Sequence, residues 1–153
     1  MGTRTAVDAL YESRVRQCHS HQAVMKLLGV TITRVQAGMV ELQMPSRANL
    51  TQQHGYIHAG IVATVLDSAC TYAALTLMPA NMTVLTVEYK INMLAPANGQ
   101  SLIVKASVKR AGQSLLVCAA DALTNDSDLL KPVATMLSTV MREIEQSNLS
   151  STA

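Results

Sequence analysis

The stretch Gln52-Gln53-His54-Gly55-Tyr56-Ile57-His58-Ala59-Gly60-Ile61-Val62-Ala63-Thr64-Val65-Leu66-Asp67 decides how this chain is read. Polar residues and glycines lead into it. An apolar run of about five helical turns follows and ends at Met78-Pro79. The run carries one ionisable carboxylate, Asp67. A carboxylate set among Val65, Leu66, Ala69 and Cys70 is costly to bury unless it is paired or used. The pattern predicts a buried helix from His58 to about Leu77, whose N-terminus forms one half of an active site and whose Asp67 forms the other.

Working outward, Val7, Leu10, Tyr11, Val15, Val24, Leu27 and Leu28 recur at helical spacing among polar residues, so 1–28 reads as a helical segment, with a break near Ser20 and a stop at Gly29. Alternation then predicts strands at 30–36 and 39–44, joined around Ala37-Gly38. Ser46 to Ile57 reads as a polar loop. Beyond the helix, strands are expected at Thr83–Met93, Ser101–Arg110, Ser114–Thr124 and Pro132 to about Glu143. Leu102, Val104, Ala106 and Val108 face one way, while Lys105, Ser107 and Lys109 face the other. Asn125-Asp126-Ser127-Asp128 reads as a loop, and 145–153 as a flexible tail. The fold class expected is α+β: a curved antiparallel sheet wrapped around one long central helix, with an N-terminal helix, 29–144 forming a single domain.

Composition narrows the function. With 153 residues, 49% hydrophobic and 14% charged, the chain can bury one sizeable core, and that core must be aliphatic because Phe and Trp are absent and Met numbers 9. A net charge of +2, without a dense basic run, gives no support for nucleic-acid binding. Cys18, Cys70 and Cys118 are scattered and odd in number, which argues against disulfides or a zinc cluster. Cys18-His19-Ser20-His21 reads as an exposed helical segment. No metal and no cofactor are expected. The first 30 residues lack an apolar signal-peptide core. Asp67, His58, Thr64, Ser68, Thr71 and Thr76 argue against the apolar run being a membrane span. The expectation is a reduced cytoplasmic protein.

From about Val30 to Arg142 the chain resembles hotdog-fold acyl-CoA thioesterases of the PaaI-like branch. The marker is His58-Ala59-Gly60 followed by Asp67, similar to that family's His-Gly-Gly with an acidic residue later in the same helix. Ala59 replaces the middle glycine; its N–H is kept, and its methyl narrows the approach. The resemblance implies that Gln52 occupies a family Asn/Gln position and Thr86 a family Ser/Thr position. It also implies that Ala97-Asn98-Gly99 and Arg110 hold the pantetheine and phosphates of coenzyme A. The expected assembly is a homodimer paired into a homotetramer, a dimer of dimers.

The chemistry expected is hydrolysis of acyl-CoA to free acid and CoA. The Ala59 N–H at the helix start is the expected oxyanion donor, beside Gly60. Asp67 acts as base or nucleophile. Thr86 orients Asp67 or a water, and Gln52 can hold a water or the carbonyl. His58 reads as a cap or as a catalytic group, and His54 as a solvated loop residue or part of the pocket mouth. Ala59 and Asp67 are eight residues apart, about 12 Å along a helix axis. A carbonyl needs donor and base within about 3 Å. One unbroken helix cannot supply both, so two antiparallel helices from two subunits are expected to share each site. Two other functions fit the same residues: a hotdog hydratase or dehydratase using His54 or His58 with Asp67, and a non-catalytic acyl-CoA-binding protein.

Overall fold

The computed structural model describes residues 5–126 and 129–144. The segment 145–153, expected to be a flexible tail, lies outside the described residues. Two short helices come first, α1 (Tyr11–His21) and α2 (Ala23–Leu28). The hairpin strands β1 (Thr31–Gln36) and β2 (Met39–Pro45) follow, then a 3-10 turn (Ala48–Leu50) and the central helix α3 (Ala59–Leu75). Four strands close the chain: β3 (Met82–Met93), β4 (Ser101–Ala111), β5 (Leu115–Asp126) and β6 (Leu129–Ile144).

All six strands form one antiparallel sheet in the order β1-β2-β4-β5-β6-β3. The expected curved sheet around a long helix is what the chain builds. In β4, Leu102, Val104, Ala106 and Val108 turn inward and Lys105 and Lys109 outward, as the alternation requires. The inward rows of β2, β4, β5 and β6 pack on α3. Leu42, Met44, Leu102, Leu116, Cys118 and Val140 are fully buried there with Val62, Val65, Leu66 and Ala69. This contact supplies the stability that an isolated helix of this length lacks.

The hairpin is locked to the far end of α3. Thr76 Oγ1 accepts from the Gly38 N–H at 2.7 Å and donates to the Ala73 carbonyl at 2.6 Å. Gly38 itself has φ +78°, which the tight turn between β1 and β2 demands.

Three boundaries differ from expectation. The first helix begins at Tyr11, and it breaks at Gln22 rather than Ser20, because Gln22 leaves helical geometry (ψ 106°) and its side chain is held by Tyr72. β5 runs on through Asp126 and β6 begins at Leu129, so Asn125 and Asp126 of the expected loop are strand, while Ser127 and Asp128 lie outside the described residues. Pro132 sits inside β6, where it faces a register shift between Ala122 and Leu123 that accommodates its missing N–H.

α1 covers the C-terminal half of α3. The Tyr72 hydroxyl donates to Gln22 Oε1 at 2.8 Å, and the His19 ring meets Tyr72 edge-on at 5.8 Å. Arg14 bonds the carbonyls of Met78, Pro79 and Met82 and pairs with Asp8. Its fork thereby satisfies acceptors in the turn that follows α3. Among the described residues, no helix is long and apolar enough to cross a membrane.

Candidate active site

Two ends of one helix segment define the site. At the start of α3, His58 is the N-cap. Its Nδ1 accepts from the Gly60 N–H at 2.9 Å, which puts the ring proton on Nε2. The His58 carbonyl takes the N–H groups of Ile61 and Val62. The Ala59 N–H has no acceptor among the described residues, and Ala59 is exposed. An unpaired N–H at a helix start carries the positive end of the dipole outward.

The loop before it is folded back on itself. Thr51 bridges to Ile57, the Gln52 N–H donates to the Tyr56 carbonyl, and Gly55 turns the chain at φ +84°. Gln52 Oε1 accepts from the His54 N–H, so the Gln52 acceptor is engaged and its amide NH2 is left to donate. The His54 side chain is exposed. The 95–100 turn docks on this loop through Ile57 N–H to Ala97 carbonyl at 2.9 Å. That turn needs Gly99, where φ is +145° and a Cβ would strike the Asn125 carbonyl. Ala97 and Asn98 thus sit beside the helix start, with Ala97 buried.

Eight residues along, Asp67 is half-buried. Its Oδ1 accepts from the Thr86 hydroxyl at 2.8 Å, and Oδ2 has no partner among the described residues. Burial raises the Asp67 pKa above the ordinary carboxylate value, and the Thr86 bond pulls the other way without overcoming it. Thr86 lies on the inner face of β3, opposite Val140, immediately before a bulge at Val87. Such a bulge re-aims side chains beside a site. Thr71, one turn beyond Asp67, donates to the Asp67 carbonyl at 2.9 Å and lies 3.4 Å from the Thr86 hydroxyl. The four-residue spacing from Asp67 puts Thr71 on the same face of α3.

The structure brings Asp67, Thr71 and Thr86 together, and separately Gln52, His58, Ala59, Gly60, Ala97 and Asn98. It does not bring Arg110 to either group. Arg110 pairs with Val117, whose neighbours Leu116 and Cys118 point into the core, so Arg110 is on the outer face. It also stands about 30 Å along β4 from Ser101, the strand end nearest Asn98. Among the described residues, no three His, Cys, Asp or Glu side chains converge to hold a metal.

Residues 54–131, more than half of the chain, match the thioesterase superfamily. The chain belongs to that superfamily. A thioesterase family protein from Silicibacter pomeroyi is similar in structure, with TM-score 0.86 and 46% identity, covering 88% of this chain and 98% of that one. A Halobacterium salinarum protein, provisionally named an esterase, is 31% identical over 106 residues, or 66% of this chain and 70% of the relative. The PaaI protein of E. coli, from its phenylacetic acid degradation operon, shares the fold at TM-score 0.79 with 20% identity, covering 87% and 93%. The hotdog-fold expectation therefore holds.

Proposed function

We propose that the chain hydrolyses acyl-CoA thioesters at sites completed by two subunits. The observation that carries this is the pairing of an unpaired Ala59 N–H with a half-free Asp67 carboxylate on one unbroken helix. They are about 12 Å apart along the axis. Two features support a second subunit. β3 is an edge strand of 12 residues with Leu85, Val87, Tyr89 and Met93 exposed, which soluble proteins seldom leave open. Beside it, Gly60, Ala63, Thr64, Asp67 and Thr71 form an incompletely covered stripe of α3.

In the proposed reaction, Asp67 Oδ2 removes a proton from water, and the water oxygen attacks the thioester carbon. The carbonyl oxygen becomes an oxyanion held by the Ala59 N–H of the second subunit, with the Gln52 amide NH2 beside it. Collapse breaks the C–S bond, and the CoA thiolate takes the proton from Asp67. Thr86 holds the carboxylate in place, and Thr71 bonds the Asp67 backbone carbonyl. Coenzyme A contacts at Asn98 and at Arg110 would have to come from different subunits, because one chain holds the two far apart and Arg110 on the outer face. A hydratase would need a His facing Asp67, whereas the His58 ring is turned back onto Gly60.

A thiol-reactive dye with a panel of acyl-CoAs tests the activity; no CoA release from any of them would end the proposal. Mixing tests the shared site. Ala59→Pro removes the donor N–H at a first-turn position that tolerates proline, and Asp67→Ala removes the base. Each homodimer should be nearly inactive. After random reassortment, about half the dimers are mixed and each has one intact site, giving about a quarter of wild-type activity. With folding and subunit exchange verified, no recovery would exclude a shared site.

A further inference from the structure

Asp67, Thr71 and Leu75 follow one another at four-residue spacing, so they form a single ridge along α3. On one flank stands β3, with Thr86 bonded to Asp67 at one end and Thr83 near Leu75 at the other. On the other flank stands α1, with Gln22 as its C-cap. Where the flanks spread, at the Leu75 end, lies a cavity of about 480 Å³ whose lining includes Gln17, Cys18, His21, Gln22 and Thr83. Leu75 is about 12 Å from Asp67 along the axis. An extended chain advances about 1.2 Å per bond, so the ridge matches a chain of about ten bonds.

The lining contains no carboxylate. Arg14, also in the lining, has its guanidinium engaged by Asp8 and three carbonyls. Gln22 is different. Its Oε1 accepts from the Tyr72 hydroxyl at 2.8 Å and, at the outer limit, from the Ser68 hydroxyl at 3.5 Å. Those bonds fix the amide plane. They leave the Nε2 group with two N–H donors and no acceptor among the described residues, on a side chain that lines the cavity.

We infer that the ridge and cavity receive the acyl chain, and that Gln22 makes the enzyme select medium-length acyl groups bearing an oxygen near their distal end. This rests on the acyl-CoA thioesterase reading above. A methyl terminus would strip water from the Gln22 donors and give nothing back, whereas a hydroxyl or carboxylate oxygen accepts from them. Losing such a partner is what makes a hydrogen-bonding pocket reject the analogue that lacks it.

The experiment compares kcat/KM for octanoyl-CoA, ω-hydroxyoctanoyl-CoA and the mono-CoA thioester of octanedioic acid. Wild type should favour the two oxygen-ended chains over octanoyl by about tenfold. Gln22→Met should bring both ratios to near one. Gln22→Glu keeps an acceptor for Tyr72 and Ser68 but removes the donors, so the octanedioic ratio should fall below one. Equal or better turnover of octanoyl-CoA by wild type, or ratios unchanged in both variants, would overturn the inference while leaving the thioesterase reading intact. If no acyl-CoA is hydrolysed, that reading fails, and binding of free acids to the folded Asp67→Asn protein decides the inference alone. Octanoate raising Tm as much as ω-hydroxyoctanoate would refute it, and a larger shift with the hydroxy acid would support it.

Discussion

The two halves of α3 belong to one helix and are covered differently. From Ser68 to Leu75, every residue but Thr71 is buried, under the sheet on one side and α1 on the other. From Ala59 to Asp67, only Val62, Val65 and Leu66 are buried, and the remainder is partly or fully exposed. The covered half is fastened by side chains that find protein partners: Tyr72 to Gln22, Thr76 to Gly38, and Arg14 across the following turn. The open half keeps polar groups unfinished, the Ala59 N–H and Asp67 Oδ2. A helix anchored at one end can hold uncompensated groups at the other, which is what a preorganised site requires.

If the open half is the chemical half, the largest effect should come from Asp67→Asn. We expect kcat to fall on the order of a thousandfold, about 4 kcal/mol in the barrier, with the fold retained. Steady-state thiol release on protein with wild-type circular dichroism measures it. Turnover within tenfold of wild type would remove Asp67 from the chemistry.

If the covered half is the stabilising half, Arg14→Ala should reduce stability by about 3 kcal/mol, since the Met78, Pro79 and Met82 carbonyls and Asp8 lose a charged donor. For a chain of this size that is a Tm drop of about 6–12 °C. Arg14→Lys should recover only part of it, because an ammonium cannot fork across several acceptors. A Tm unchanged by Arg14→Ala would mean that the packing of Val15 and Met25 alone holds α1 down.

The same contrast explains what the sequence made legible. Apolar runs and strict alternation announced the helix and the inward rows of β4, and the solitary carboxylate marked Asp67. Side-chain partners across tertiary contacts left no such trace. The break at Gln22 depends on Tyr72, fifty residues away. Arg110 shows how parity misleads. Counting by twos from Leu102 and Val108 puts residue 110 inside, but a register shift between Val108 and Arg110 turns it outward. A second shift, between Thr86 and Glu88, does the same to β3: Thr86 stays inside with Asp67, while Glu88 goes outside to bond Thr139.

The smallest effect joins the two halves, because the open half should carry a stability cost that its function explains. The Asp67 carboxyl has its pKa raised by burial, with the Thr86 bond only partly offsetting this. A raised native pKa means that, between the unfolded and folded values, the native state binds more protons than the unfolded one. Stability from this group is therefore fully present below the unfolded pKa and is lost as pH climbs through the folded value. Above the folded pKa the wild-type protein bears the cost of an ionised, desolvated carboxylate that an Asn amide does not. Asp67→Asn should thus melt slightly above wild type at pH 7, by less than Arg14→Ala lowers it. The gap should narrow as pH falls into the carboxylate range. Melting curves of both proteins from neutral to acid pH measure it. A variant less stable than wild type at pH 7 would show that the Thr86 bond outweighs desolvation, and that Asp67 belongs to the structure as much as to the site.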